Sequence, residues 1–483
     1  MQTILVTDDP QYWSFLQSAA PIIESTDYLL NEDYHKNTSI RVINLCTSYN
    51  YQTLGYYVSL LAQARSHKAI PSALHLQDAL SNSLTKQISQ EIEEEIQHSL
   101  RDIHSDEFLL SLYFGQNMAK RHSDLAKKLH GLFPLPLMRF VLERKKQWVI
   151  KKLLPLSPAD IPEHHVQFMQ EAAEAYFSKK RFHHWRKKKR LHDLAILYDP
   201  TEPNAPSNKK ALELFINAGE SMGMNVDLID KNDSKFIAEY DALFIRATTS
   251  LDHYTYRLAR RAAQENLVVI DDPQSIVKCT NKVYLAELMR MHQILTPETL
   301  FISKFDKTLP TIEFPCVLKK PDSAFSHGVI KLNDLTDLYK SLTKFFKTSD
   351  LVLVQPFIPT EFDWRIGVLD NKPLYACRYY MAKDHWQIYN WNSTEHTEGG
   401  FETFPWEEVP EAVIKTALKV TRLIGDSLYG VDIKSAGDKH YVIEVNDNPN
   451  IDFDIEDRVL GESLYQQIMA VFLQRIRRKH GYA

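Results

Sequence analysis

Near the C-terminus the chain reads Gly430-Val431-Asp432-Ile433 and then Tyr441-Val442-Ile443-Glu444-Val445-Asn446-Asp447-Asn448-Pro449. Both runs are apolar enough for strands, and Ala436-Gly437-Asp438 between them suits a hairpin turn. Such a hairpin sets Asp432 beside Glu444 and Asn446, and the last two, spaced by two, project from one face of their strand. Two carboxylates and an amide oxygen form a hard donor set. That set suits Mg²⁺, which completes its shell with water and phosphate oxygens. A second candidate is the run Cys316-Val-Leu-Lys319-Lys320, followed by Ser323, Ser326 and Gly328. Backbone N–H groups of such a loop cradle phosphates, and Lys319 can neutralise them. No G-x-x-x-x-G-K-[ST] pattern occurs, which excludes a P-loop. A third is Leu351–Gln355 running into Pro356, Phe357 and Ile358, where a crossing between two lobes can hold an adenine edge in an apolar slot. Each has a structural alternative: a polar strand edge, an ordinary hairpin, a strand leaving a sheet.

The elements that must position these residues fall into three stretches. The first, to about residue 178, opens with two apolar runs, Thr3–Thr7 and Ile40–Leu45, that read as strands. Helical spacing follows over Gln52–Ala64, and helical patterns are expected to continue through Glu107–Leu129 and Pro134–Lys151, an α/β layout passing into mostly α. The second alternates strands (193–198, 226–229, 242–245, 267–270) with helices (208–222, 254–265), the signature of parallel βαβ units. The third, from Lys278, has short strands in antiparallel hairpins, helices over 281–292 and 410–423, and a closing helix over 464–478. No repeat is visible at solenoid or propeller spacing.

Composition narrows the options. With 44% hydrophobic and 25% charged residues the chain can build ample core. A net charge of −5 argues against nucleic-acid binding by the chain as a whole. The exception is Lys179–Arg190 (KKRFHHWRKKKR), either a solvated linker or a surface for RNA or an acidic partner. Cys46, Cys279, Cys316 and Cys377 are scattered without metal-site spacing, which points to a reducing, cytoplasmic setting. Neither a signal peptide nor an apolar run long enough to span a bilayer is evident, so no membrane partner is expected.

Taken together and in order, these motifs resemble the RimK-like branch of the ATP-grasp superfamily, the ribosomal protein S6–glutamate ligases and their relatives. The carrying motifs are Asn281-Lys282 opening a helix, VLKK with SAFSHG, LVQPFI, DWR, GVD and IEVNDNP. The resemblance implies an α/β and α+β ATP-grasp fold: a pre-ATP-grasp domain over 191–277 and a two-lobed ATP-grasp domain over 278–483. A basic linker (179–190) and an accessory α/β-to-α N-terminal domain (1–178) precede them. It implies that Lys282 and Lys319 contact ATP phosphates and that Ser323, Ser326 and Gly328 close over them. Gln355, Pro356, Phe357 and Ile358 form the adenine hinge, and Glu361 holds the ribose. Asp432, Glu444 and Asn446 are implied to bind two Mg²⁺ ions, with Mn²⁺ as a substitute. Arg365 and Arg378 lie near the transferred phosphate. The pattern is departed from at Pro356, where relatives carry an acidic residue, in the single glycine of the phosphate loop, and in Asn390–Phe401, which lacks the basic residue usual before Gly-Gly.

The activity so implied is an ADP-forming ligase joining a carboxylate to an amine through an acyl phosphate, with an amino acid such as glutamate added to a peptide, protein tail or metabolite. A kinase, or an ATP-sensing scaffold without ligation, is the alternative. Oligomeric state stays open.

Overall fold

The structure is a computed structural model that describes residues 2–35, 40–80, 92–178, 192–322, 328–382, 385–390 and 397–479. Ser323, Ser326, the basic run 179–190 and residues 391–396 of the 390–401 segment lie outside the described residues.

The chain opens with a parallel sheet of β1 (Gln2–Thr7), β2 (Ile22–Glu24), β3 (Ile40–Asn44) and β4 (Lys68–Ile70), in the order β2-β1-β3-β4. β1 and β3 are buried almost throughout, as expected of parallel strands covered on both faces. An antiparallel sheet follows: β5 (Glu107–Tyr113), β6 (Leu137–Arg144) and β7 (Trp148–Pro155). The helical expectation for 134–151, and for the first part of 107–129, is therefore corrected. Phe140 and Leu142 on β6, with Leu110 and Leu112 on β5, alternate with exposed or half-exposed neighbours. That period of two decides for strand wherever one sheet face is covered. Helices Glu93–Leu100 and Ser123–Leu132 provide the cover through Ile96, Leu100, Leu125 and Leu129.

A second parallel sheet comprises β8 (His192–Tyr198), β9 (Met224–Ile229), β10 (Ala242–Arg246) and β11 (Val268–Ile270), ordered β9-β8-β10-β11. Its helix Lys209–Ser221 is N-capped by Asn208, whose side-chain oxygen accepts from Ala211 N at 2.9 Å. The C-terminal helix Glu462–Lys479 closes over this sheet, setting Leu464, Ile468 and Phe472 against Leu194 and Phe244.

Two further sheets form the lobes that carry the candidate residues. The smaller holds β12 (Leu300–Ser303), β13 (Cys316–Lys319), β14 (Val329–Leu332) and β15 (Leu351–Pro356), ordered β12-β15-β13-β14. The larger holds β16 (Phe362–Leu369), β17 (Lys372–Tyr380), β20 (Phe401–Phe404), β21 (Leu428–Ala436) and β22 (Lys439–Asn446), ordered β20-β17-β16-β21-β22. A two-residue pair, β18 (Tyr389–Asn390) with β19 (Thr397–Glu398), extends from it. Helix Glu411–Ile424 buries Val413, Ala417 and Val420 against Ile366, Val431 and Ile433 on one face of the larger sheet. Each such valine or isoleucine contributes roughly 1.5–3 kcal/mol relative to exposure. The other face carries Asp363, Arg365 and Asp432, while on β17 it packs Tyr375, Cys377 and Tyr379 into the core beneath the second parallel sheet.

Candidate active site

β21 and β22 pair as a hairpin with Asp432 opposite Glu444 and Gly430 opposite Asn446. β16 lies on the far side of β21 and places Arg365 opposite Asp432. Arg365 forks onto both oxygens of Asp432, Nη2 reaching Oδ2 at 2.9 Å and Nε reaching Oδ1. The fork requires Gly430: a Cβ there would stand 2.9 Å from Arg365 Cδ and 2.7 Å from Pro449 Cβ. The glycine of Gly-Val-Asp is thus a clearance for the arginine. The amide of Asn446 reaches Asp432 Oδ2 at 3.3 Å.

Lys282 arrives from elsewhere. Asn281 caps helix Lys282–Met291 by accepting from Val283 N at 3.1 Å and Tyr284 N at 3.0 Å. The cap fixes the first helical residue, and Lys282 Nζ donates to Glu444 Oε1 at 2.6 Å. Burial pushes the Glu444 carboxyl up, but Lys282, Lys319 and Arg365 outweigh it and leave the group below the ordinary glutamate range. Lys319 ends β13, is buried, and has its pKa lowered to about 8 by that burial against the pull of Glu444. Lys434, spaced two from Asp432, donates to Asp363 Oδ1 at 2.6 Å and Thr360 Oγ1 at 2.7 Å. Three lysines and an arginine therefore surround three carboxylates.

These groups stand where two clefts meet. The first, of about 850 Å³, is walled by Val317, Val329, Pro356, Phe357, Ile358 and Trp386 and floored by Lys282, Lys319, Asp432 and Glu444. Gln355 lines it and is held by a 2.8 Å hydrogen bond to Thr299 Oγ1. The Phe357 ring carries Lys331 Nζ at 3.8 Å and meets Trp386 edge-on at 5.9 Å. Its N–H is already given to Pro315 O at 3.0 Å. Gly328, the residue before β14, has a φ of 74°, which favours glycine, and its carbonyl accepts from Lys320 N at 2.9 Å. The second cleft, of about 1500 Å³, also contains Asp432 and Glu444 but is walled by Thr248, Thr249, Ser250, Asp447 and Asn450. One wall is thus the carboxyl end of the parallel sheet, where open α/β sheets bind their ligands.

Two sequence-predicted residues are not brought together with the rest. Arg378 is corrected. It pairs with Trp364, the neighbour of Arg365, so strand alternation sends it to the opposite face. There its guanidinium lies 4.6–4.7 Å from the rings of Phe362, Trp364 and Phe404. Glu361 is exposed, gives its carbonyl to Met381 N at 3.0 Å and lines neither cleft.

Sequence reasoning also missed residues that the fold brings in. Lys434 was legible from its spacing to Asp432. Asp447 stood inside the quoted motif; it is buried, lines the second cleft, and burial pushes its carboxyl up to about 7. Arg246, fully buried at the end of β10, had no local signal. It donates to Asn448 Oδ1 at 2.7 Å, Pro449 O at 2.8 Å and Ser207 Oγ at 3.0 Å, and so ties the parallel sheet to the segment after β22.

The donor set accords with a hard divalent cation: two carboxylates at opposed register positions, one amide, and an ionised Glu444. Among the described residues no three His, Cys, Asp or Glu side chains are placed to hold a metal ion by themselves. A cation held here would need phosphate and water to complete its shell, the habit of Mg²⁺.

Comparison with known proteins agrees with this layout. Residues 25–172 match the family described as RimK-like ATPgrasp N-terminal domain, and residues 279–471 match the RimK-like ATP-grasp domain. The alpha-aminoadipate–LysW ligase LysX of Saccharolobus solfataricus is 28% identical over 253 residues, covering 49% of this chain and 87% of that protein. The LysX protein of Sulfolobus acidocaldarius is 30% identical over 194 residues, covering 38% of this chain and 67% of its own length. A probable alpha-L-glutamate ligase of Rhodopirellula baltica is 23% identical over 225 residues, covering 45% of this chain and 54% of that protein. With these matches, and with two clefts sharing one charged floor, the chain belongs to the RimK-like ATP-grasp family and is an ATP-binding ligase of that kind.

Proposed function

We propose that this protein joins a carboxylate to an amine by way of an acyl phosphate, with ATP in the cleft of Phe357 and Trp386 and the two joining substrates in the cleft of Thr248–Ser250. The observation that carries the reading is that both clefts open onto Asp432 and Glu444, with Lys282 and Lys319 on the side of the first cleft and Arg365 on the side of the second.

Asp432, Glu444 and Asn446 would hold Mg²⁺, which when bound neutralises charge on the phosphates being transferred. Lys282 and Lys319 bring positive charge to the same oxygens from the other side of the floor. Their present partner Glu444 keeps them poised within reach. In the first step a substrate carboxylate oxygen attacks the γ-phosphorus and the bond to the β-phosphate oxygen breaks, giving ADP and an acyl phosphate. In the second an amine nitrogen attacks the acyl carbon, loses a proton, and phosphate departs with the electron pair of the broken C–O bond. Arg365 sits at the junction to hold the oxyanion or the departing phosphate, a role that electrostatic preorganisation makes large. The relatives named for alpha-aminoadipate and glutamate support an amino acid as one substrate. A peptide or protein tail as the other is the corresponding reading of the wide second cleft.

The test is ADP release by the full chain with ATP and Mg²⁺, against an amino-acid pool with and without acidic peptides, with products followed by mass. Release needing both partners, and a product equal to their sum less water, is expected. Lys319→Ala and Glu444→Gln should each lower kcat/KM by about a hundredfold or more. ADP release with a stable phosphorylated product would instead identify a kinase.

A further inference from the structure

The two parallel sheets share one order and polarity, β2-β1-β3-β4 and β9-β8-β10-β11. The likeness runs on into their connections. Helix Leu54–Ala64 ends as helix Tyr254–Gln264 ends. Arg65 N donates to Leu61 O and Glu265 N to Arg261 O, both at 2.9 Å. His67 N reaches Ala62 O at 2.8 Å, and Leu267 N reaches Ala262 O at 2.9 Å. Between them Ser66 and Asn266 hold left-handed φ values of 58° and 59°. The next helices start alike too. Ser72 Oγ accepts from His75 N at 3.2 Å before Ala73–Leu80, and Asp272 Oδ1 accepts from Ser275 N at 3.0 Å before Pro273–Thr280.

Beyond that point the first half is shorter, with no counterpart of β17–β20 among the described residues, but the remaining elements follow one succession. β5, helix Ser123–Leu132, hairpin β6–β7 and helix Val166–Phe177 repeat the succession of β16, helix Glu411–Ile424, hairpin β21–β22 and helix Glu462–Lys479. The antiparallel order β5-β6-β7 repeats β16-β21-β22. Both hairpins carry a register shift, between Val141 and Leu142 and between Asp432 and Ile433. Each last helix returns to its own parallel sheet, Met169 and Phe177 joining Leu5 and Ile43 as Met469 and Phe472 join Leu194 and Phe244.

Aligned on that shift, Val141 lies opposite Leu109 and Lys152 as Asp432 lies opposite Arg365 and Glu444. Leu154 falls where Asn446 stands. None of these four side chains can ligate a divalent cation. The interval that holds β12–β15 in the second half corresponds to residues 81–106 in the first, too short for a four-stranded lobe. The acceptor wall Thr248–Ser250 corresponds to Ser48–Asn50. There Tyr49 is buried with Leu76 and Ile96 and gives its hydroxyl to Asn44 O at 2.8 Å, so packed core stands where the cleft would be. The halves meet through the amino ends of their strands, Arg41 on β3 bonding Asp193 on β8 at 2.6 Å.

We propose that residues 2–178 are a second copy of the ATP-grasp unit, stripped of its nucleotide lobe and metal ligands, that binds no nucleotide and buttresses the parallel sheet of the catalytic copy. The duplication rests on geometry; the expected nucleotide count rests on the ATP site proposed above. The test is equilibrium dialysis of the full chain with Mg²⁺ and a non-hydrolysable ATP analogue. One nucleotide per chain is expected, lost in Lys319→Ala and unchanged in Lys152→Ala or Leu109→Ser, both exposed positions. Two per chain, or binding that survives Lys319→Ala and weakens in Lys152→Ala, overturns the proposal. A chain that binds none refutes the ATP site instead. The duplication is then decided by a crystal structure of the full chain. One rotation should carry β1–β7 onto β8–β11, β16, β21 and β22 together, and a need for two unrelated rotations refutes it.

Discussion

Arg365 and Arg378 sit on adjacent paired strands, yet their surroundings differ completely. Arg365 meets a carboxylate in a fork, while Arg378 meets three rings. Arg365→Lys keeps the charge but loses the fork, and kcat is expected to fall about a hundredfold with little change in thermal stability. Arg378→Leu should behave the opposite way, with kcat within twofold and a loss of about 1–2 kcal/mol of stability from the missing cation–π contacts. Urea midpoints and steady-state rates on both variants check the pair; a large kcat loss in Arg378→Leu would return that residue to the site.

At the scale of elements, the segment after β22 must be held against the sheets for the second cleft to exist. Arg246 holds it from β10, and Glu456 holds it from within: Tyr379 donates to one of its carboxyl oxygens and Asp452 N to the other at 2.7 Å. Arg246→Lys is expected to raise KM for the amine or carboxylate substrate about tenfold, the effect of one or two lost hydrogen bonds to a charged group, and to leave KM for ATP unchanged. Equal rises in both would show general unfolding of the site. Burial raises the Glu456 pKa from its ordinary 4.5 to about 7, against those two hydrogen bonds. Between those values the folded chain keeps a proton that the unfolded chain has released, so stability falls as pH rises from 4.5 to 7. The loss is at most about 3 kcal/mol. Urea midpoints at pH 5 and pH 8 should show the slope, and Glu456→Gln should flatten it.

For the whole molecule, the question is how firmly the first half grips the second. The contacts are polar and buried: Arg41 with Asp193, His75 with Glu265 at 2.6 Å, and Lys68 with the Tyr240 carbonyl. Buried pairs of this kind contribute little net stability when intact but are costly to break singly. Arg41→Ala leaves Asp193 buried beside Asp241 and is expected to lower stability by about 3–5 kcal/mol. Arg41→Met with Asp193→Leu should recover most of it. Failure of the double variant to recover would mean that the contact does more than fill space. Among the described residues no helix is long and apolar enough to cross a membrane.

Periodicity and motif determined much of this protein from its sequence alone. The hairpin of Asp432 and Glu444, the capped Lys282 helix, the alternating βαβ stretch and the strand ending at Gln355-Pro356 all stand where local pattern put them, because each depends on neighbours within a few residues or across one turn. Tertiary structure decided the rest. Leu137–Pro155 became a hairpin because two helices that precede it in sequence, Glu93–Leu100 and Ser123–Leu132, cover one of its faces, which the mixed charges of the segment hide. Arg378 left the site because strand phase, fixed by its partner Trp364, set its face. Arg246 entered the site from two hundred residues away through contacts with no sequence signature. The repeat of one architecture across the two halves is invisible in residue types, since its second copy kept the backbone plan and replaced the side chains that would have announced it.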